Sequence, residues 1–199
     1  MEWDGVRVRN KEFYLGWNRR KKQNNPQTMD NKDKKKKQSM TPSENHETKL
    51  ATIPPRDLKI VWGSDDTQWT IKDPNDDEQS YAEAIKVTWL EVKATYKGAK
   101  PGSHYKIGFN ISLNSDAFGW DSSPVFMMAK VGESGYYTWK RIYFNIIEAG
   151  KSPINFPSNF EISVPVSAKD TTLFFGLYEI WGGRWKGGLR IHHAFVTKI

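Results

Sequence analysis

Catalysis needs a nucleophile with its base, a pair of carboxylates or a cluster of metal ligands, and the 199-residue sequence is poor in all three. It has no cysteine, which excludes a thiolate nucleophile, a thiolate metal site and a disulfide scaffold together. The four histidines are His46 in a polar stretch, His104 beside a turn, and the neighbours His192 and His193. On a strand adjacent side chains point to opposite faces, so the His192–His193 pair is not placed to chelate one ion. The acidic run at 73–78 offers the oxygen donors calcium prefers, without the spacing or glycine of a calcium loop, and reads as a solvated turn. Glu161 and Glu179 fall on expected strands and make a glycosidase pair only if the fold sets them face to face. No glycine-rich loop opens a helix to cradle phosphate. The expectation is a protein that is not an enzyme, with no cofactor and no metal.

Aromatic residues make up 14% of the chain and include nine tryptophans, more than a core of this size requires. Several stand beside turns: Trp62 before Gly63-Ser64-Asp65-Asp66, Trp69 after Thr67-Gln68, Trp120 within Phe118-Gly119-Trp120-Asp121, and Trp181 and Trp185 around Gly182-Gly183-Arg184. Exposed indoles with short polar residues alongside suit carbohydrate. A pyranose presents a face of C–H groups with partial positive charge to the negative face of the ring, and its hydroxyls take polar partners at the rim. Covering about 100 Å² of sugar face contributes roughly 2–3 kcal/mol, so a single site binds weakly and multivalency matters. For any one of these tryptophans the competing role is core packing.

The elements that must position these residues read as strands. Pro54-Pro55 marks a stiff boundary where an extended chain enters a domain. Runs rich in β-branched and aromatic residues follow at short intervals: 58–62, 68–72, 125–129, 136–144, 160–164, 173–178 and 189–196. Tyr105, Ile107, Phe109, Ile111 and Leu113 give the clearest half-buried strand. Ile85, Val87 and Trp89 alternate in one phase and Leu90, Val92, Ala94 and Tyr96 in the other, which predicts a bulge near Trp89 or a strand covered on both faces. One short helix is expected, at 77–84. About nine short strands without long helices between them predict an all-β fold, an antiparallel β-sandwich of jelly-roll type, over residues 53–199.

Residues 1–52 are expected to form a separate extension. Residues 1–50 hold 13 Lys and Arg against 7 Asp and Glu, a net of +6, whereas the rest of the chain holds 17 against 16, a net of +1, so nearly all of the +7 belongs to this extension. Between Asn18 and Lys49 the only hydrophobic residues are Met29 and Met40, too few to offset the entropy of ordering, and the segment is predicted to be disordered. Within it Lys34, Lys35, Lys36 and Lys37 form a basic run, read either as a nuclear-import or anion-binding patch or as a solvated charge run. Ahead of it Trp3, Val6, Val8, Phe13, Leu15 and Trp17 alternate, as a hairpin docking on the domain or a strand for a partner would. No apolar run is long enough for a membrane span, and the first residues lack the apolar segment of a secretory signal. The expected home is reducing, cytoplasmic or nuclear, without classical secretion.

Four ordered motifs resemble one family. Asp57-Leu58-Lys59-Ile60-Val61-Trp62 followed by Trp69-Thr70, then Val87-Thr88-Trp89-Leu90-Glu91-Val92, then Ala117-Phe118-Gly119-Trp120-Asp121 with Pro124-Val125, and last Tyr178-Glu179 with Trp185-Lys186-Gly187-Gly188-Leu189 and Ile191, are similar to those of the phloem protein 2, or Nictaba-like, lectins. The resemblance covers about residues 56–199. It implies a β-sandwich lectin of the plant cytosol, nucleus or phloem sap that binds N-acetylglucosamine (chitin) oligomers and N-glycan cores, often as a homodimer. It also implies that Trp62 and Trp69 stack on sugar. The family's aromatics around the second tryptophan are replaced here by Gln68 and Ile71, which narrows the platform.

The expected carbohydrate-binding residues are Trp62, Trp69, Asp65, Asp66 and Gln68, the last three as polar rim contacts. Trp120, Asp121, Glu179 and Trp185 form a second tier that serves equally well as loop supports. The expected partners are glycans or glycoproteins. The rival function is RNA or protein binding through the basic extension, with the sandwich as its scaffold.

Overall fold

A computed structural model describes residues 47–73, 79–121, 124–144 and 147–199. The run Lys34–Lys37, the aromatic piece ending at Trp17, His46 and most of the acidic turn at 73–78 lie outside these residues. Among the described residues twelve strands are formed: β1 (Thr48–Ile53), β2 (Lys59–Ile60), β3 (Trp69–Lys72), β4 (Tyr81–Ala84), β5 (Leu90–Tyr96), β6 (His104–Phe118), β7 (Val125–Val131), β8 (Thr138–Ile142), β9 (Ile154–Phe156), β10 (Glu161–Ser163), β11 (Leu173–Glu179) and β12 (Gly187–Lys198).

They build two antiparallel sheets. The seven-stranded sheet runs β10-β6-β12-β4-β3, with β1 also on β12 and β9 also on β6; the five-stranded sheet runs β2-β5-β11-β7-β8. Alternation supplies the core. Ile107, Phe109 and Ile111 of β6 are fully buried, as are Val92 of β5, Val125, Met127 and Ala129 of β7, and Leu173 and Leu177 of β11. Phe109 meets Phe175 across the gap between sheets with ring centroids 5.7 Å apart. Each large apolar side chain so buried contributes about 1.5–3 kcal/mol. The result is the expected all-β antiparallel sandwich.

Three local expectations change. Tyr81–Ala84, inside the expected helix at 77–84, is a strand: Ala82 and Ala84 point inward with no exposure while Tyr81 and Glu83 point outward. Pairing on both sides, to β3 and β12, overrides the helix preference of alanine. The phase break near Trp89 is neither a bulge nor a doubly covered strand. Residues 85–89 are a bent connector that carries the chain from β4 in one sheet to β5 in the other, which inverts the inward side. Finally, Thr48 and Lys49, read as the end of the disordered segment, begin β1, which pairs along β12 from Lys198 to Ala194. The His192–His193 pair sits where the β12–β6 register shifts, and His192 Nε2 lies 2.9 Å from Ser112 Oγ.

Candidate functional site at one end of the sandwich

Four connections meet at one end of the sandwich, and each holds one of the motifs singled out from sequence. The first is the β2–β3 loop. The Val61 N–H bonds the Glu91 carbonyl at 3.0 Å, and Trp62 then turns into the left-handed region at φ 58°. A tryptophan there is strained, and the surrounding bonds must hold it. Asp65 N–H closes back on the Trp62 carbonyl at 2.9 Å, and the Asp65 carboxylate accepts from the Thr67 N–H, the Thr67 hydroxyl and the Gln68 side-chain amide. These bonds, the Thr67 hydroxyl foremost, hold the carboxyl below its ordinary pKa. Trp62 is thereby left 43% exposed, with its ring steeply inclined to that of Trp89, centroids 6.1 Å apart at 62°. The Trp89 indole N–H donates to the Glu91 carboxylate at 3.1 Å, which also takes the Lys93 ammonium at 2.7 Å.

The second and third connections, β4–β5 and β11–β12, are stitched together. Val87 and Lys186 exchange N–H···O bonds of 2.8 and 2.9 Å, and the Ile85 N–H reaches the Gln68 carbonyl at 2.8 Å, which ties in the first loop. Lys186 is a fully buried cation. It pairs with the buried Glu179 carboxylate, donates to the Thr88 and Arg184 carbonyls at 3.1 and 3.0 Å, and lies 5.9 Å from the centroid of the Trp120 ring. The other Glu179 oxygen accepts the Gly182 N–H at 2.7 Å. The fourth connection, β6–β7, closes on this hub: Trp120 donates to the Gly187 carbonyl at 2.8 Å. Gly119, at φ +80°, packs so tightly that a side chain there would lie 2.9 Å from Lys186 Cα and collide with the Trp185 carbonyl. The strapped β11–β12 loop presents Trp185, 56% exposed with the Lys86 ammonium 4.9 Å from its centroid, and Trp181, set edge-on to Phe126 at 5.0 Å.

The expected site residues therefore divide. Trp62, Asp66 and Trp185 are exposed at this end, and Asp121 is exposed at the mouth of a pocket of about 400 Å³ lined by Phe118, Trp120, Phe144 and Ile147. Asp65 and Gln68 are tied to each other as the brace of the β2–β3 turn. Trp69 is only 1% exposed and belongs to the core, so its ring offers no face to a ligand here. Trp120 and Glu179, 3% and 2% exposed, are supports that hold the tryptophan-bearing loops. Glu161 is exposed on β10 of one sheet while Glu179 is buried on β11 of the other, so the two do not form a facing carboxylate pair. Sequence reasoning missed the roles of Trp89, Glu91 and Lys86. The phase break beside Trp89 was the available signal, since a chain changing sheets must cross an end of the sandwich.

Fold and loop end together define an all-β sandwich domain that concentrates its exposed indoles on one set of connections. The chain belongs to the Phloem protein 2 family, which it matches over residues 48–197. It is 46% identical over 157 residues to Protein PHLOEM PROTEIN 2-LIKE A9 of Arabidopsis thaliana, a stretch covering 73% of this chain and 85% of that protein. To Protein PHLOEM PROTEIN 2-LIKE A1 of the same plant it is 23% identical over 141 residues, 68% of this chain and 56% of that one. Among solved structures, a family 61 carbohydrate-binding module in complex with β-1,4-galactotriose aligns with 71% of this chain and 87% of its own length, at 12% identity and a TM-score of 0.38, too loose a likeness to carry inference about a site.

Proposed function

We propose that this protein is a non-catalytic, carbohydrate-binding lectin whose primary contact is Trp62, with N-acetylglucosamine oligomers and N-glycan cores as its ligand class. One observation carries the reading: an indole is held exposed at a strained backbone position by a dedicated set of loop bonds, with a second indole and a carboxylate beside it. Backbone strain of about 1–3 kcal/mol is retained where function requires it. The Trp62 face supplies the stacking surface for a pyranose C–H face. Glu91 and Asp66 supply acceptors for its hydroxyls, and the inclined Trp89 ring fixes the angle of the platform. Membership of the Phloem protein 2 family supports the same reading.

The test is a glycan array probed with the full chain at low and high salt, repeated with Trp62→Ala. The expected result is binding to N-acetylglucosamine oligomers that barely responds to salt and falls at least about tenfold in the variant, with native circular dichroism. Ten times weaker binding corresponds to about 1.4 kcal/mol, within the stacking contribution. Undiminished binding by Trp62→Ala refutes the site. A blank array together with RNA binding that falls steeply with salt and vanishes on deleting residues 1–46 places function in the basic extension instead.

A further inference from the structure

The outer face of the five-stranded sheet carries an ordered row of side chains drawn from four strands, of which only Glu91 and Tyr178 fall within the sequence motifs. Strand register sets Glu91 of β5 beside Tyr178 of β11, Tyr178 beside Phe126 of β7, and Phe126 beside Arg141 of β8. The neighbouring row is Lys93, Gly176, Met128 and Trp139. A Cβ at Gly176 would stand 2.5 Å from the Val92 carbonyl oxygen and 3.0 Å from Tyr178 Cε2, so the position has no room for a side chain beside the Tyr178 ring. The phenols of Tyr178 and Tyr137 are hydrogen-bonded to each other. Trp139, 43% exposed, stands edge-on to Phe126 at 6.0 Å, and Trp181 closes on the same ring from the loop end. The row is continuous with the Trp62–Trp89 corner, because Glu91, its first member, accepts the Trp89 indole N–H.

We propose that this row is an extended glycan subsite, so that an oligosaccharide starting on Trp62 continues across β5, β11 and β7 to end on Trp139. The inference rests on the lectin reading above and deepens it. Three features fit a chain of neutral sugars. The floor is largely aromatic, with Trp139 and Trp181 standing steeply to the Phe126 ring at 62° and 77°, while its margins hold both acceptors and donors, as hydroxyls need. Its cations are already engaged locally: Lys93 with the Glu91 carboxylate, Arg141 over the ring of Tyr143, and Lys130 with the Glu133 carbonyl and the rings of Tyr137 and Phe174. A phosphate backbone would also meet the Glu91 carboxylate. Finally, strands are spaced about 4.8 Å apart, close to the advance of one pyranose in an extended β-linked chain, so each sugar meets a new strand.

The experiment is calorimetric titration of the full-length protein with the disaccharide and the pentasaccharide of β-1,4-linked N-acetylglucosamine, using wild type, Trp62→Ala, Trp139→Ala and Trp139→Phe. The wild type is expected to bind the pentasaccharide about tenfold more tightly than the disaccharide. Trp139→Ala should remove most of that gain while leaving disaccharide binding within about twofold, and Trp139→Phe should restore part of it. Trp62→Ala should weaken both ligands. Equal affinity for the two lengths, or a Trp139→Ala variant that keeps the full gain, overturns the extended subsite while leaving the lectin reading intact. A wild type that binds neither sugar overturns both. Light scattering supplies a further refuting outcome: a dimer that Trp139→Ala dissociates assigns this face to a second copy of the chain. So does single-stranded RNA binding that Trp139→Ala abolishes, which assigns the face to a polyanion.

Discussion

Replacing Lys186 by methionine tests whether the aromatic loops are held by one buried ion pair. The ammonium and the Glu179 carboxylate have 0% and 3% side-chain exposure, so neither has water to fall back on. In Lys186→Met the carboxylate keeps only the Gly182 N–H, and the Thr88 and Arg184 carbonyls each lose a donor. Removing one partner of a buried pair costs about 3–5 kcal/mol, because the charge left behind is uncompensated. Against a total stability of about 5–15 kcal/mol that is a large fraction, and for a domain of this size it lowers Tm by about 10 °C. The assay is urea unfolding followed by tryptophan fluorescence and far-ultraviolet circular dichroism, with Glu179→Gln and the double variant alongside. The double variant removes both charges, so its loss should fall short of the sum of the singles by about 2 kcal/mol. If Lys186→Met stays within about 1 kcal/mol of wild type, or if the losses simply add, the pair does not organise this end of the sandwich.

Other consequences follow from the same geometry. Trp69→Ala should cost about 3–5 kcal/mol in urea unfolding, because it empties a core position, whereas Trp62→Ala should cost under about 1 kcal/mol; comparable losses would mean the two indoles are not divided between core and surface. Gly119→Ala should lower Tm by several degrees, about 1–3 kcal/mol, since a Cβ there strikes the Trp185 backbone at a positive φ. Burial, with Lys49 and His192 nearby, holds the His193 imidazole down to about 4 from 6.5. The unfolded chain takes up its proton as pH falls through about 6.5 while the folded chain resists until about 4, so this stability is present at neutral pH and is lost across that window. The ring is only half-buried, so the loss is about 1 kcal/mol after allowance for screening; thermal melts of His193→Gln should show a shallower decline over that range, and an unchanged decline would refute the assignment.

Legibility differed between fold and site for identifiable reasons. The alternation of Tyr105, Ile107, Phe109, Ile111 and Leu113 announced β6 because a half-buried strand writes its burial directly into every second residue. The short strand β4 was missed because Ala82 and Ala84 carry no β preference of their own and are strands only by virtue of their neighbours β3 and β12. Trp62 and Trp69 looked alike in sequence, each an indole beside polar turn residues, yet one is exposed and the other is core. Six residues separate them, and the intervening turn rotates one outward and sends the other into the seven-stranded sheet. Trp120 and Glu179 read from sequence either as sugar contacts or as loop supports; in the structure both are buried, Glu179 paired with Lys186 and Trp120 bonded to the Gly187 carbonyl.

The amino-acid sequence by itself determined the β class, the family motifs, the location of the basic charge in the first fifty residues, and the want of thiol chemistry. All of these follow from residue type and short-range periodicity, which need no knowledge of distant contacts. Only the tertiary structure decided that the four motifs share one end of the sandwich, that Lys186 is their buried tie, and that Glu91, Tyr178, Phe126 and Arg141 line up across four strands. Those facts depend on strand order and register. The hydrogen bonds and side-chain packing that set them lie between segments far apart in the chain, and one-dimensional spacing does not record them.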